Sequence, residues 1–335
     1  MTIQPLSNRP REIGVTEAIE PAYACVKRLL FQPFDLSKWI ILGFCAWLAG
    51  LGESGGGGGG FNWGNGGSHN FNGTDTGEQL RHFCHQASDY VNANLYWIVP
   101  VAIMVVLVVL TLWLLILWLS SRGKFMFLHC VALNTAEVEV PWTKFARPAN
   151  SLFRFRLVLG LLGMLLMLPT LVIILVAILR MVQHGRPDLV DVMLALGLGL
   201  IFLLLALGFA LLHKFLVDFV VPIMFLRSGK CLAAWREFGA LLAANFEKFV
   251  VYLLFQFVLN LAIGAIVLMA ILLTCCLAGC LMLLPFVGTV LLLPVLVFKR
   301  AYSLYYLAQF GPQYDVFPTP AGPPPLPASP LADPL

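Results

Sequence analysis

Long runs of apolar residues dominate the chain and determine the elements that the sequence predicts. A helix needs about 20 such residues to cross a hydrocarbon core ~30 Å thick. Five segments reach that length, and a sixth approaches it. The predicted fold class is therefore all-α, a polytopic transmembrane helical bundle with about six spans. The predicted spans are residues 34–52, 96–119, 157–179, 189–212, 249–273 and 281–307.

The first predicted span has the shortest apolar run, the 13 residues 39–51. It reaches span length if the helix begins near Pro33, a residue favoured in first turns, with Asp35 in that turn. The side chain of Lys38 would then extend to the lipid headgroups. A re-entrant or interfacial segment is the alternative.

Basic residues predict the orientation, because cytoplasmic loops carry an excess of Lys and Arg. With six spans and a cytoplasmic N-terminus, the cytoplasmic segments hold 18 of the 21 Lys and Arg residues. Only Arg81, Arg180 and Arg186 lie outside. Five spans would remove this asymmetry. We therefore expect a multi-pass protein of the bacterial inner membrane with both termini in the cytoplasm.

Two segments differ in composition from the spans. Residues 53–94 open with six consecutive glycines, 55–60, whose backbone entropy predicts a flexible loop on the outside. Residues 311–335 are rich in proline and are expected to form a disordered cytoplasmic tail. Residues 1–310 are predicted to form a single transmembrane domain.

The cytoplasmic segments before spans one, three and five share a pattern: an aromatic residue, an apolar residue three later, and a Phe eleven later. These spacings fall on one face of a helix. The pattern predicts three copies of an interfacial amphipathic helix followed by a transmembrane hairpin. The first and the last residue of each triplet are candidate interfacial anchors. The triplets are Tyr23, Val26 and Phe34; Trp142, Phe145 and Phe153; and Trp235, Phe238 and Phe246.

Segments 31–48 (FQPFDLSKWIILGFCAWL) and 284–298 (LPFVGTVLLLPVLVF), with the Gly-rich stretch, resemble a family of uncharacterised bacterial membrane proteins. The plan of interfacial helix and hairpin is also similar to the membrane domain of some glycerophosphodiester phosphodiesterases. The resemblance implies a membrane fold and no chemistry, since that family has no assigned activity. The catalytic barrel of those enzymes, about 250 residues in a typical case, has no counterpart here.

Polar residues within the spans are few. Gln256 and Asn260 lie four apart, so they are predicted to form a polar face that either lines a substrate path or fixes helix packing. Asp218 follows Lys214 by four residues and is expected to form an ion pair with it on the helix surface at the interface, a functional carboxylate being the alternative. No cofactor or metal is expected: His82, Cys84 and His85 lack a spaced partner motif, and Cys275, Cys276 and Cys280 lie in apolar sequence.

The composition excludes a soluble protein, because 60% of the residues are hydrophobic and only 11% are charged. A net charge of +4 does not suggest nucleic acid binding. The leading hypothesis is a non-enzymatic membrane component that organises lipids, membrane-protein partners or further copies of itself. A solute or lipid transporter using Gln256 and Asn260 is the alternative. An intramembrane enzyme comes third, since it would need a reactive cluster that the sequence does not display.

Overall fold

The computed structural model describes residues 13–51, 94–184, 189–274 and 284–317, and within these ranges it contains helices joined by short turns and no strand. Two π-helical turns cover Lys27–Phe31 and Leu216–Val220. A 3-10 turn covers Pro312–Tyr314. The α-helices are α1 (Ile19–Val26), α2 (Leu36–Gly50), α3 (Leu95–Leu133), α4 (Glu139–Lys144), α5 (Ala146–His184), α6 (Leu189–Phe215), α7 (Val221–Arg227), α8 (Cys231–Ala244), α9 (Phe246–Leu273), α10 (Pro285–Leu291) and α11 (Leu293–Ala308).

Four helical segments are long and apolar enough to cross a membrane. They are Tyr96–Leu133, Ala146–Ile178, Val192–Arg227 and Phe246–Leu273. They belong to α3, α5, α6 and α9, which contain the second to fifth predicted spans and run further than the apolar stretches. The α3 and α5 helices have 39 residues each. At 1.5 Å per residue that is about 58 Å, well beyond the ~30 Å of a hydrocarbon core.

The first and last predicted spans are not single long helices. The α2 helix has 15 residues and starts at Leu36, because the Asp35 carboxylate caps it by accepting from the Ser37 N–H at 2.9 Å. Asp35 is therefore the cap and not part of the first turn. The last span is divided into α10 and α11 at Leu292. Its predicted residues 281–283 lie outside the described residues.

Buried residues concentrate at one end of the molecule. They lie mainly in three segments that each follow an apolar run: 120–132 of α3, 216–224 after α6, and 293–307 of α11. We call these three segments, together with α1, α4 and α8, the packed base. By contrast, the most apolar window of each long helix has between 0% and 11% of its residues buried. We call residues 96–119, 157–178, 192–212 and 257–273 the exposed spans.

Aromatic side chains fill the packed base. Phe219 stacks on Phe238 with ring centroids 5.3 Å apart, and Tyr252 stacks on Tyr306 at 4.6 Å. All four rings are fully buried. Such pairs add to the free energy gained by burying their area, so the base has the character of a soluble core.

The three short helices of the base, α1, α4 and α8, each pack at the end of an even-numbered predicted span. Phe145, which follows α4, stacks on Phe125 of α3, and Phe238 of α8 packs on Phe219 after α6. The α1 helix packs on α11. Its approach is fixed by Tyr302, whose hydroxyl donates to the Val15 carbonyl at 2.9 Å. The N-terminal helix therefore meets the last one and closes the base.

The α2 and α3 helices approach each other closely. A Cβ at Gly123 would lie 2.6 Å from the backbone of Leu48 and Ala49, so only glycine fits there without movement. The Ser120 hydroxyl donates to the Ala49 carbonyl at 3.1 Å and accepts from Arg156 at 3.1 Å. This polar contact fixes the register of α2 on the packed base.

The packed part of the chain continues past the predicted boundary at residue 310. Tyr314 and Val316 are buried, and Phe317 stacks on Tyr305 with centroids 4.2 Å apart. Of the predicted tail, residues 318–335 lie outside the described residues. The predicted Gly-rich loop, 53–94, also lies outside them, except for Asn94.

Candidate functional site at the packed base

A connected set of polar side chains lies where α6 enters the packed base. The ammonium group of Lys214 lies 2.7 Å from the Asp218 carboxylate. The π-helical turn Leu216–Val220 carries Asp218 inward, where it is 8% exposed. The predicted ion pair is therefore present, but it is largely buried and not on the helix surface.

The Asp218 carboxylate is also held from α9. The Tyr252 hydroxyl donates to Asp218 Oδ2 at 3.0 Å and accepts from Gln256 Nε2 at 3.0 Å. Tyr252 is fully buried and Gln256 is 2% exposed. The other amide atom, Gln256 Oε1, is buried with no hydrogen-bond partner among the described residues. One hydrogen-bonded chain thus runs from a lysine at the edge to an amide inside.

Two further cations on α11 border this chain. The Arg300 guanidinium donates to the Val217 carbonyl at 2.6 Å and is 8% exposed. Lys299 is half-buried and interacts electrostatically with both Lys214 and Asp218. The site therefore groups three cations with one carboxylate. We call Lys214, Asp218, Lys299 and Arg300 the basic cluster.

Two thiols of the base, those of Cys25 and Cys231, are poor nucleophiles. Burial raises the pKa of Cys231 to about 12, and it also raises the pKa of Cys25, where the charge of Arg28 partly opposes the effect. Both groups therefore stay protonated near neutral pH, which suits packing and not covalent chemistry.

Residues 14–293 match the model of a family of unknown function, DUF7544. The chain belongs to this family. No curated protein and no solved structure matches the chain. The matched region runs from the residues before α1 to the first residue of α11. It includes Lys214 and Asp218 of the basic cluster, and Tyr252 and Gln256 of α9. Lys299 and Arg300 follow it.

The structure separates the two residues of the predicted polar face. Gln256 is buried against Tyr252, whereas Asn260 is exposed and makes no side-chain hydrogen bond within the described part of the chain. From Phe257 to Leu273 no residue of α9 is buried. The two amides therefore lie in different environments one turn apart.

The six predicted interfacial anchors are all partly or largely exposed, and we call them the rim of the packed base. Tyr23, Phe34 and Phe246 are 65%, 63% and 65% exposed. Trp142, Phe153 and Trp235 are half-buried. Trp142 also lies against the Arg122 guanidinium, at 4.7 Å from its ring centroid.

Sequence reasoning missed Tyr252, although this residue links Asp218 to Gln256. Its position one helical turn before Gln256 was the available signal, because residues four apart share a helix face. The His and Cys residues weighed as metal ligands are not among the described residues; they are His82, Cys84, His85, Cys275, Cys276 and Cys280. In the described ranges no group of three His, Cys, Asp or Glu side chains is placed to hold a metal ion.

Proposed function

We propose that this member of the DUF7544 family is a non-enzymatic, multi-pass component of the bacterial inner membrane that organises lipids, membrane-protein partners or copies of itself. The observation that carries the proposal is the contrast between the packed base, which is rich in cations, and spans that expose nearly all their apolar surface. A base of this kind sits at the membrane interface, while the spans are left for lipid or for other helices.

The distribution of cations supports a cytoplasmic base. Among the described residues, Lys and Arg lie in the packed base or in the turns and helix ends next to it, with Arg180 near the far end of α5 as the exception. Cytoplasmic segments carry such an excess. Both termini are then cytoplasmic, because α1 and α11 both belong to the base.

The path of the chain supports six crossings. It is still at the base at Ala49, which accepts from Ser120, and it is at the far end of α3 at Leu95, so the proposed first crossing falls between Ala49 and Leu95. It is again at the far end at Leu273 and is back at the base at Leu293, where α11 begins, so the proposed last crossing falls between these residues. These two passages, added to the four long helices, give six.

The three-fold repeat is supported by the burial of the middle residue in each triplet. Val26, Phe145 and Phe238 are 7%, 3% and 0% exposed. Each belongs to or directly follows a short helix that precedes an odd-numbered span. The packing of α1 on α11 continues the same arrangement between the third unit and the first.

Labelling with a membrane-impermeant maleimide tests the topology in a variant without the eight native cysteines. Cysteines would be placed singly at Ile13, Asn94 and Leu232. Six crossings predict labelling of Asn94→Cys in intact cells, and labelling of the other two only after permeabilisation. If Ile13→Cys reacts in intact cells together with Asn94→Cys, the first crossing does not exist and the proposed topology is wrong.

A lipid transporter remains the second candidate, and the exposed amide of Asn260 favours it. Asn260 lies 14 residues into α9, about 21 Å along the helix axis and near the middle of a span. A polar group at that depth is costly in lipid unless it faces a partner or a polar path.

Single replacements distinguish the two candidates, because the amides differ in environment. An organising component predicts that Gln256→Leu lowers stability by about 1 to 3 kcal/mol, since the Tyr252 hydroxyl loses its donor, and that Asn260→Leu does not. Proteoliposomes with a fluorescent phosphatidylglycerol measure lipid movement directly. Movement that requires the protein and is lost in Asn260→Leu would establish the transporter instead.

A further inference from the structure

The basic cluster lies at the level where lipid contact ends and the packed base begins. On α6, Leu212 is 40% exposed while Leu216 is fully buried, and Lys214 is midway between them. The Lys214 side chain is 35% exposed, so it is not enclosed by the base. In the proposed orientation this level coincides with the headgroups of the cytoplasmic leaflet.

The carboxylate of the cluster does not neutralise its cations. Asp218 already accepts from Lys214 at 2.7 Å and from Tyr252 at 3.0 Å. An ammonium group carries three donors, so Lys214 has two left after this pair. With Lys299 and Arg300 counted, the cluster holds an excess of two positive charges.

Lys299 has the clearest need for an anion. It is half-buried, and among the described residues it makes no hydrogen bond or ion pair, while Lys214 repels it more than Asp218, already paired with Lys214, attracts it. Partial burial of a cation without a counter-ion is unfavourable. A single anion between the two lysines would relieve their repulsion and satisfy their remaining donors.

We infer that Lys214 and Lys299 form a binding site for the phosphate of an anionic lipid headgroup, with Asp218 holding Lys214 and with Arg300 tying α11 to the Val217 carbonyl beside it. Lysine binds phosphate as a point charge, and anionic headgroups are the phosphates present at this level. The inference rests on the proposed membrane orientation and adds a specific ligand class and site to it.

Lys299→Met tests the site, and it removes no hydrogen bond or ion pair that Lys299 makes with the described residues. Lys230→Met is the matched control, because Lys230 is an exposed lysine of the base and its replacement changes the net charge equally. The proteins would be purified in detergent with phosphatidylglycerol or phosphatidylcholine, and bound lipid would be counted by native mass spectrometry. We expect Lys299→Met to lower the retention of phosphatidylglycerol roughly tenfold, the loss of one charge-assisted contact, and to leave phosphatidylcholine unchanged.

Equal loss in Lys299→Met and Lys230→Met would overturn the site, because only overall charge would then matter. A third arm adds inorganic phosphate at millimolar concentration. If free phosphate displaces the lipid completely, the cluster recognises soluble phosphate and the lipid assignment is wrong. Thermal unfolding of both variants controls for folding. The maleimide topology experiment is independent, so loss of the site and failure of the proposed topology give different results.

Discussion

The packed base and the exposed spans are built largely from the same apolar residues, yet they differ in what surrounds them. Leu212 and Leu216 lie one turn apart on the same helical run, and their exposures are 40% and 0%. The aromatic rings, the buried Arg and Asp side chains and the long-range hydrogen bonds concentrate in the base. The spans are mostly Leu, Val and Ile with almost no buried surface.

This difference follows from the two solvents. Lipid tails are as apolar as leucine, so helices within the hydrocarbon gain little from covering one another. In the proposed orientation the base lies below the hydrocarbon and meets water, where burial of apolar surface again drives packing. We therefore expect the base to account for most of the free energy of unfolding, and the spans to tolerate change.

The largest expected effect is the removal of a ring from the centre of the base. Phe238 is fully buried and lies between Phe219 and Phe249, with centroids 5.3 and 5.4 Å away. Phe238→Ala should lower the free energy of unfolding by about 3 to 5 kcal/mol. Unfolding in mixed detergent micelles, followed by circular dichroism, measures this change.

Phe246→Ala is the matched control, because it removes the same ring from the same sequence triplet at a position that is 65% exposed. Its effect should stay within about 0.5 kcal/mol. Equal losses for the two variants would show that the rim is as important for stability as the base, and the comparison between the two regions would fail.

These regions also mark how far the sequence could predict the fold. Runs of about 20 apolar residues suffice to find a span, and four of the six predicted spans lie within helices long enough to cross a membrane. Hydropathy alone cannot distinguish Phe219, which is buried, from Phe257, which is 68% exposed. Their surroundings depend on which helices meet, and residues 34 positions apart, Asp218 and Tyr252, meet only in the folded chain.

The candidate site was predicted in part for the same reason. The spacing of Lys214 and Asp218 is local, so the sequence predicted their ion pair. The spacing of Gln256 and Asn260 is local too, but helical periodicity places residues on a face without saying what that face meets. The α9 helix contacts the base over its first three turns only, which buries Gln256 and leaves Asn260 exposed.

A smaller effect is expected at the contact between α2 and α3. Gly123→Ala would place a Cβ 2.6 Å from backbone atoms of Leu48 and Ala49, which cannot move aside as a flexible side chain does. We expect a loss of about 1 to 3 kcal/mol from overpacking. The control is Gly208→Ala in an exposed span, where a Cβ meets nothing within 4 Å. Gly208→Ala should gain up to about 1 kcal/mol, since alanine favours helix over glycine.

Both glycine variants would be compared in the same micelle-unfolding assay. A neutral Gly123→Ala would mean that α2 can shift on α3 without cost, and it would separate α2 from the packed base. A destabilising Gly208→Ala would reveal a contact on the exposed spans, as expected if a second protein copy or another partner covers that face.

The smallest expected effect concerns the N-terminal cap of α2. It tests whether this short helix is stabilised by its own cap or by packing on the base. Asp35→Ala removes the acceptor of the Ser37 N–H and should cost about 1 kcal/mol. Asp35→Asn keeps a capping oxygen and should be nearly neutral. Hydrogen exchange of the backbone amides reports the change locally. In Asp35→Ala the amides of α2 from its first turn to Leu42 should lose protection, while the amides of α3 should remain protected. If protection falls equally along α3, the two helices unfold as one unit, and α2 belongs fully to the packed base.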